Sequence, residues 1–183
     1  MSAVHAPART RTETGAVALA VLRIATGLLF LWAFVDKAFG LGYATQPKNA
    51  WFSGGSPTKG FLSRVDVGPF ESVFHDIAGT WWADLLFMAG LFTVGVALVL
   101  GIGLRIAAAS GAVMMVLMWA AEWPPAQHTS SGEATMSTNP IIDYHVVYAL
   151  VLIALAATAS SAIWSLARWW NDQPVVRANP WLR

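Results

Sequence analysis

Four long apolar segments dominate the chain and leave few folds open to it. They cover residues 16–35, 85–104, 106–121 and 146–167. Each is close to the length of about 20 residues that an α-helix needs to cross the hydrocarbon layer of a bilayer. Only 11% of the residues are charged and 56% are hydrophobic, a balance typical of membrane proteins and not of soluble domains. We therefore predict an all-α membrane protein built as a four-transmembrane-helix bundle.

The domain organisation follows from these segments and their flanking residues. A single membrane domain is predicted over residues 16–167, between a cytoplasmic N-terminal tail (1–15) and a cytoplasmic C-terminal tail (168–183). The predicted helices cover residues 16–39, 82–104, 105–122 and 143–167, and the first outer loop covers residues 40–81. Because the link from Gly101 to Arg105 is so short, the second and third helices must form an antiparallel hairpin.

Basic residues set the predicted orientation, since cytoplasmic loops are enriched in lysine and arginine. Six arginines fall on one side of an alternating bundle, namely Arg9, Arg11, Arg105, Arg168, Arg177 and Arg183. The first loop opposes this bias with Lys37, Lys48, Lys59 and Arg64, whereas the loop from Glu122 to Asp143 has three acidic residues and no lysine or arginine. We predict a multi-pass protein of a bacterial-type cell membrane with both termini in the cytoplasm.

Two short interfacial helices are predicted within the first outer loop. Ser56-Pro57 and Gly68-Pro69 each place a proline at a first helical position, where its missing N–H group costs nothing. An apolar stripe at helical spacing follows the second proline and consists of Phe70, Val73, Phe74 and Ile77. Such a helix suits the membrane interface. It either forms a lid over the bundle or merely seals its outer end, and the sequence leaves both alternatives open.

Arg23 is the charge that lies deepest in a predicted span, about seven residues or roughly 10 Å into the first helix. A charge in hydrocarbon is costly unless it is paired or hydrated, so such a residue marks a site by default. Gly27 and Phe30 share its helical face, which is expected to point into the bundle. We predict that Arg23 contacts carbonyls or polar side chains of the third or fourth helix. The alternative is that it extends to the cytoplasmic headgroups.

An up-and-down bundle brings one end of every helix to the same outer level. The polar and aromatic residues delivered there are Asp36, Lys37, Trp82, Asp84, Trp119, Glu122, Trp123, Asp143, Tyr144 and His145. Carboxylates, a lysine and a histidine beside aromatic rings can hold a quinone and move protons to its oxygens. The predicted catalytic residues are Glu122, Asp143 and His145. The predicted quinone-binding residues are Arg23, Lys37, Trp82 and Trp119.

This outer cluster has a simpler alternative interpretation, in which its members only mark where each helix leaves the lipid. If it is a site, we expect Lys37, Glu122, Asp143 and His145 to share one polar cavity beneath the predicted loop helix that follows Pro69. No metal site is predicted. The chain has no cysteine, which excludes thiolate-bound iron–sulfur clusters, and only His145 lies near a span, which argues against haem. A net charge of +1 gives no reason to expect a nucleic-acid partner.

Several of these residues resemble a known family. Leu22-Arg23, Thr26-Gly27-Leu28-Leu29-Phe30 and Asp36-Lys37 resemble the first helix of DoxX/DoxD-type membrane proteins. The resemblance to the DoxD branch continues through Trp51-Phe52, the string from Gly54 to Leu62, Gly68-Pro69-Phe70, the stretch from Gly101 to Ala107, and Asp143-Tyr144-His145. It covers about residues 16–165, and the glycine-rich loop string is its most specific part.

The resemblance implies the large subunit of a thiosulfate:quinone oxidoreductase, also called thiosulfate dehydrogenase (quinone). Such a subunit works with a small partner subunit, oxidises two thiosulfates to tetrathionate and passes the electrons to membrane quinone. The alternative function is a non-catalytic membrane adaptor or assembly factor that anchors soluble redox or sulfur-metabolism partners. The expected partners are the lipid bilayer, membrane quinone and the small subunit, while a homo-oligomer stays an open alternative.

Overall fold

The structure is a computed structural model, and it describes residues 9–158 and 163–182. In chain order its α-helices are α1 (Arg9–Phe39), α2 (Lys59–Leu62), α3 (Glu71–Ile77), α4 (Trp81–Leu100), α5 (Leu104–Glu122), α6 (Tyr144–Ala157), α7 (Ala167–Asn171) and α8 (Pro174–Ala178). Single-turn 3₁₀ helices cover Pro47–Asn49, Trp51–Ser53 and Pro180–Leu182. The described residues form no strand, and one isolated antiparallel bridge joins His128 to Ala134. The predicted all-α class is confirmed.

The four long helices pack in chain order as a bundle, with α1 against α4, α4 against α5, and α5 against α6. We call the end that carries the turn from Gly101 to Gly103 the hairpin end. The opposite end, which carries the long connections 40–80 and 123–143, is the loop end. Helices α1, α4 and α5 run between these two ends and α6 starts at the loop end, so residues far apart in the chain meet there.

Within the described part of the chain, three helices are long and apolar enough to cross a membrane: α1 over Glu13–Phe39, α4 and α5. The fourth long helix, α6, is equally apolar but has only 14 residues, which corresponds to about 21 Å. Exposed side chains on the outward faces are apolar, as Leu86, Val113 and Leu150 illustrate. An apolar exterior is what a lipid solvent requires of a bundle.

Small residues allow the helices to approach closely, as expected where lipid supplies no hydrophobic drive for association. A Cβ atom added at Gly27 of α1 would lie 2.9 Å from the carbonyl oxygen of Gly95 in α4. Gly95 in turn lies against Leu31, where an added Cβ would come within 2.6 Å of its Cγ. Gly111 of α5 meets Leu152 of α6 in the same way, with an added Cβ 2.7 Å from its Cδ1. Larger residues at these glycines would force the helices apart.

Both predicted tails contain structure. Helix α1 begins at Arg9, so residues 9–15 of the predicted N-terminal tail are helical, because no proline or internal glycine interrupts that stretch. The predicted C-terminal tail folds into α7, α8 and a final 3₁₀ turn, which contacts α5 at the hairpin end. Val176 is fully buried within it, and the indole Nε1 of Trp170 donates to the carbonyl of Leu182 at 2.7 Å.

The predicted fourth helix, 143–167, is too long. Helix α6 ends at Ala157, residues 159–162 lie outside the described part, and residues 163–166 form a turn. In that turn Trp164 has a φ of 50°, and Leu166 donates its N–H to the carbonyl of Leu100 at 2.8 Å. The physical reason is that the turned backbone presents the carbonyls of Ile163 and Trp164 to the interior, where the buried guanidinium of Arg23 donates to them.

The first loop contains two short helices, α2 and α3, as predicted, but neither has a proline at its first position. Helix α2 begins at Lys59 and α3 at Glu71, because Pro57 and Pro69 lie in the turns that precede them. In α3 the apolar stripe is divided between two surroundings. Phe74 is buried against Val65, Ala120 and Ala121, so α3 covers the loop end of α5. Phe70 and Val73, by contrast, are about half exposed and face outward.

Candidate functional site

The site begins with four residues at the junction of α5 and α6. Glu122 is the last residue of α5, and Asp143, Tyr144 and His145 start α6. The hydroxyl of Tyr144 donates to Glu122 Oε1 at 2.6 Å, and His145 Nδ1 lies 2.8 Å from Asp143 Oδ2. His145 Nδ1 also lies 3.8 Å from Glu122 Oε2, which joins the two pairs. We call these four residues the loop-end cluster.

Asp143 owes its position to the helix that it caps. Its Oδ1 accepts the N–H of Val146 at 3.0 Å, which is the N-cap hydrogen bond of α6. The other oxygen, Oδ2, remains free to accept from His145. One carboxylate therefore both starts the helix and orients the imidazole two residues later.

His145 lies on the inward face of α6, in line with Ala149 and Leu152. Its side chain is 1% exposed. Among the described residues its Nε2 has no hydrogen-bond partner, although the atom is buried. A buried polar atom without a partner carries a free-energy penalty, so its presence requires an explanation.

A cavity of about 400 Å³ opens beside the loop-end cluster. Glu122, Asp143 and Tyr144 form one wall, and the second outer loop from Pro124 to Asn139 forms the rest. The lining includes two carboxylates and hydroxyl groups but no lysine or arginine. The cavity is therefore electronegative, and α3 contributes nothing to its wall.

The second outer loop is held in shape by its own hydrogen bonds. The Ser137 hydroxyl donates to the carbonyl of Pro124 at 2.7 Å, and Asn139 Oδ1 accepts the N–H groups of Ile141 and Ile142 at 2.9 and 2.8 Å. These local bonds help to define the cavity wall.

Away from the loop-end cluster, hydrogen bonds between Asp66 and Ser130 join the two outer loops, and we call this pair the Asp66 clasp. Asp66 accepts from the Ser130 hydroxyl at 2.6 Å and from the Ser130 N–H at 2.8 Å. The Ser130 hydrogen bonds hold the pKa of the Asp66 carboxyl below its usual value. This carboxylate is fully exposed, in contrast to Asp143.

Arg23 lies at the other end of the bundle, so it shares no site with the loop-end cluster. Its Nη1 donates to the carbonyls of Leu98 and Val99, the latter at 3.0 Å. Its Nη2 donates to the carbonyls of Ile163 and Trp164 at 3.2 and 2.9 Å. The guanidinium is fully buried and binds carbonyls, as predicted. Two of these carbonyls belong to residues 163 and 164, within the predicted fourth helix, whereas the other two belong to α4, the second predicted helix, and not to the third.

Gly101 makes room for that guanidinium. An added Cβ at this position would lie 2.7 Å from Arg23 Nη1 and 2.5 Å from Ser165 Cβ, and the residue has a φ of +69°. Both the space and the backbone conformation favour glycine. Arg23 thus ties the end of α4 to the turn after α6, a structural role that the sequence did not distinguish from ligand binding.

The remaining predicted quinone-binding residues take different positions. Trp119 lies beside the cluster, one helical turn before Glu122, and its indole Nε1 donates to the carbonyl of Ile141 at 3.0 Å. Lys37 is half-buried and makes no hydrogen bond or ion pair with residues 9–158 or 163–182, and Trp82 is exposed. Neither Lys37 nor Trp82 lines the cavity. Their binding roles stay predictions.

Two buried carboxylates at the loop end, Asp84 and Asp36, hold loop segments by hydrogen bonds. Asp84 Oδ1 accepts from the Ser56 hydroxyl at 2.9 Å and from the N–H and hydroxyl of Thr58 at 3.0 and 2.6 Å. It thereby ties the glycine-rich loop string to α4. Asp36 accepts the N–H of Ala44 at 3.0 Å and fixes the turn after α1. The sequence alone does not distinguish these two structural carboxylates from Asp143.

A divalent cation is a second chemical use for the cluster, because ligand atoms of Glu122, Asp143 and His145 lie within 4.8 Å of one another. Metal on His145 Nδ1 would displace its hydrogen bond to Asp143. It would also leave Nε2–H as a buried donor without a partner, whereas metal-bound histidines almost always donate their other N–H. The geometry therefore favours acid–base chemistry over metal binding.

Comparisons with known proteins identify the family. A family model described as DoxX matches residues 18–123, more than half of the chain, so the chain belongs to the DoxX family. Neither the curated proteins nor the solved structures yield a match. The matched stretch contains α1 from residue 18 onward, α4 and α5, and ends next to Glu122.

Proposed function

We propose that this DoxX family protein is the membrane subunit of a quinone-linked oxidoreductase of the thiosulfate:quinone oxidoreductase type. The observation that carries the proposal is the loop-end cluster, in which His145 is buried, held by Asp143 and left with one ring nitrogen that no described residue bonds. Quinone reduction takes up two protons with two electrons, so a quinone site needs acid–base groups at the edge of the membrane. The cluster offers such groups.

The loop string from Gly54 to Leu62, which resembles the DoxD branch, also supports the DoxD-like subtype through its structure. Ser56 and Thr58 of that string bind Asp84, so the string is a fixed structural element and not a variable linker. The buried orphan nitrogen of His145 is a binding point for a ligand oxygen, which fits a quinone. A bound quinone supplies the electron-accepting chemistry that the side chains of this chain lack.

The charge of the cavity assigns the sulfur chemistry to another chain. Two thiosulfate dianions yield one tetrathionate and two electrons, and the electrons pass to quinone. A cavity lined by Glu122 and Asp143 without a basic side chain repels dianions. The protein also has no cysteine to form a thiosulfonate intermediate. Thiosulfate therefore binds on the small partner subunit in this proposal.

The proposal includes four membrane crossings with both termini in the cytoplasm. Helix α6 starts beside Glu122 at the loop end, and Leu166 bonds to Leu100 at the hairpin end, which supports a fourth crossing. The hairpin end carries Arg105, Arg168 and Arg177, which favours the cytoplasm for that end. A reporter fused after Arg183 should be active in the cytoplasm and one inserted at Ser130 outside. The reverse pattern would contradict this orientation.

The direct test of function is thiosulfate-dependent reduction of a short-chain ubiquinone analogue. The full chain is purified in mild detergent together with the proteins that remain bound to it. Glu122→Gln and His145→Ala should each lower the rate at least about tenfold, since loss of a general acid or base costs roughly a hundredfold in typical enzymes. Asp66→Asn is the matched control, because it removes a loop-end carboxylate outside the cluster and should keep the wild-type rate.

The outcome separates the two functions. Wild-type rates in both cluster variants would show that the cluster is interfacial only. Absence of any thiosulfate-dependent reduction, with a stable soluble partner retained, would favour the adaptor function instead.

A further inference from the structure

The ring of His145 has a defined direction. Nδ1 faces Asp143 and Glu122 on the cavity side, at 2.8 and 3.8 Å. Nε2 lies on the opposite edge of the ring, is buried, and has no partner among the residues that the structure describes. When the neutral ring donates Nδ1–H to Asp143, Nε2 must be the unprotonated nitrogen. Its lone pair then faces away from the cavity.

Exposure falls steadily along the cluster. The side chain of Glu122 is 34% exposed, that of Asp143 is 14% and that of His145 is 1%. Water thus reaches the carboxylates but not the inner edge of the imidazole. The negative charges lie on the wet side, where they can stabilise a proton on the ring, and the free nitrogen lies on the dry side.

We propose that the ligand oxygen binds at His145 Nε2 on the interior side of the ring, and that the electronegative cavity supplies water and protons without holding the ligand. Asp143 is a positioning residue that fixes the Nδ1–H form. A ring that enters the step as Nε2–H takes a proton at Nδ1 from the Asp143 side and becomes an imidazolium, whose positive charge Asp143 and Glu122 offset. The Nε2–H bond then breaks as an O–H bond forms on the ligand, and the ring is left neutral in the Nδ1–H form, in which Nε2 accepts the new O–H. This inference rests on the proposed quinone function and adds the atom, the tautomer and the side of approach.

A buried ligand on the dry side also accounts for the orphan atom. Without such a ligand, Nε2 remains an unpaired polar group in an apolar interior, which costs free energy. With one, Asp143 and the ligand bond the two nitrogens in the way that a catalytic histidine is held between an orienting carboxylate and a reacting oxygen.

Nitrogen NMR of the full-length protein, labelled with ¹⁵N-histidine and placed in lipid nanodiscs, tests the inference directly. The signals of His145 are identified by their loss in His145→Gln. We expect an Nδ1–H, Nε2-unprotonated ring, and on addition of the short-chain ubiquinone analogue in its reduced quinol form, whose O–H can donate to Nε2, a larger shift at Nε2 than at Nδ1. In Asp143→Asn the preference for this tautomer should be lost, whereas Asp66→Asn should preserve it.

The possible results distinguish this inference from the function on which it rests. An Nε2–H ring in the wild type, or an analogue that shifts Nδ1 more than Nε2, would overturn the inference even if turnover is intact. A shift confined to Nε2, with no thiosulfate-dependent turnover, would support the inference and contradict the electron-transfer function.

Discussion

The two ends of the bundle each bury a polar side chain, and they do so in opposite ways. At the hairpin end, both terminal nitrogens of Arg23 bond to backbone carbonyls of two distant segments. At the loop end, His145 bonds to Asp143 on one side and to nothing described on the other. Arg23 Nε also lacks a described partner, but it lies on the stem side of a guanidinium whose terminal nitrogens are saturated.

The difference lies in what the partners can do. Carbonyl oxygens cannot give up or take a proton at ordinary pH, so the Arg23 contacts can only hold segments together. Carboxylates and a phenol can exchange protons with an imidazole. A buried charged or polar group therefore marks a functional or structural centre at both ends. Whether its neighbours can exchange protons decides if that centre is an acid–base site or a structural anchor.

Substitution of Arg23 should give the largest effect on stability. Arg23→Leu removes a buried cation and takes the guanidinium donors away from four carbonyl groups, of which that of Leu98 keeps the Gly101 N–H, so we expect a loss of about 3–5 kcal/mol in the free energy of unfolding. Unfolding in mixed detergent micelles measures it. Arg168→Leu is the matched control, since Arg168 is an exposed arginine of the same end and should cost less than about 0.5 kcal/mol. Equal losses in the two variants would contradict the anchor role.

The smallest effect is expected at the Asp66 clasp, which lies outside both buried centres. The Ser130 bonds lower the pKa of Asp66 in the folded protein. Its contribution to stability is therefore present above the unfolded pKa of about 3.9 and is lost as the pH falls through the folded value. In Ser130→Ala the pKa of Asp66 should rise toward its usual value, and the stability that the protein loses at acid pH through this group should become smaller.

Carboxyl carbon NMR titration of Asp66 measures that change. Ser72→Ala provides the control, because Ser72 is exposed on α3 and makes no contact with Asp66. An unchanged Asp66 pKa in Ser130→Ala would mean that the clasp does not form. Turnover should stay at the wild-type rate in both serine variants, since neither residue belongs to the loop-end cluster.

Much of the fold was predictable because hydropathy and chain length act locally. The Gly101 to Arg105 link fixed α4 and α5 as a hairpin, and the apolar segments located the cores of all four long helices. The end of α6 was not predictable, because the chain turns at residues 163–166 to satisfy Arg23, a residue 140 positions earlier in the sequence. Hydropathy did not predict that α1 begins as early as Arg9, because a helix can extend beyond the membrane as a polar segment.

The sequence predicted the depth of the site residues along the bundle, but not the direction in which each one points around its helix axis. Alternating helices bring Glu122, Asp143 and His145 to one end, and the structure brings these three together. Lys37 and Trp82 reach the same level on other faces, because the depth of a residue in a bundle does not fix its angle around the helix axis. The roles of Tyr144 and Asp84 depend on individual hydrogen bonds, which no spacing rule indicates.

The central claim is that the loop end is a site for proton chemistry and not a second anchor. It is tested most directly by measuring turnover and the free energy of unfolding on the same preparation of His145→Gln, with the partner proteins bound. The account predicts a rate about a hundredfold below wild type, with a free energy of unfolding within about 1 kcal/mol of it. A wild-type rate, or a loss of stability as large as that of Arg23→Leu, would contradict it.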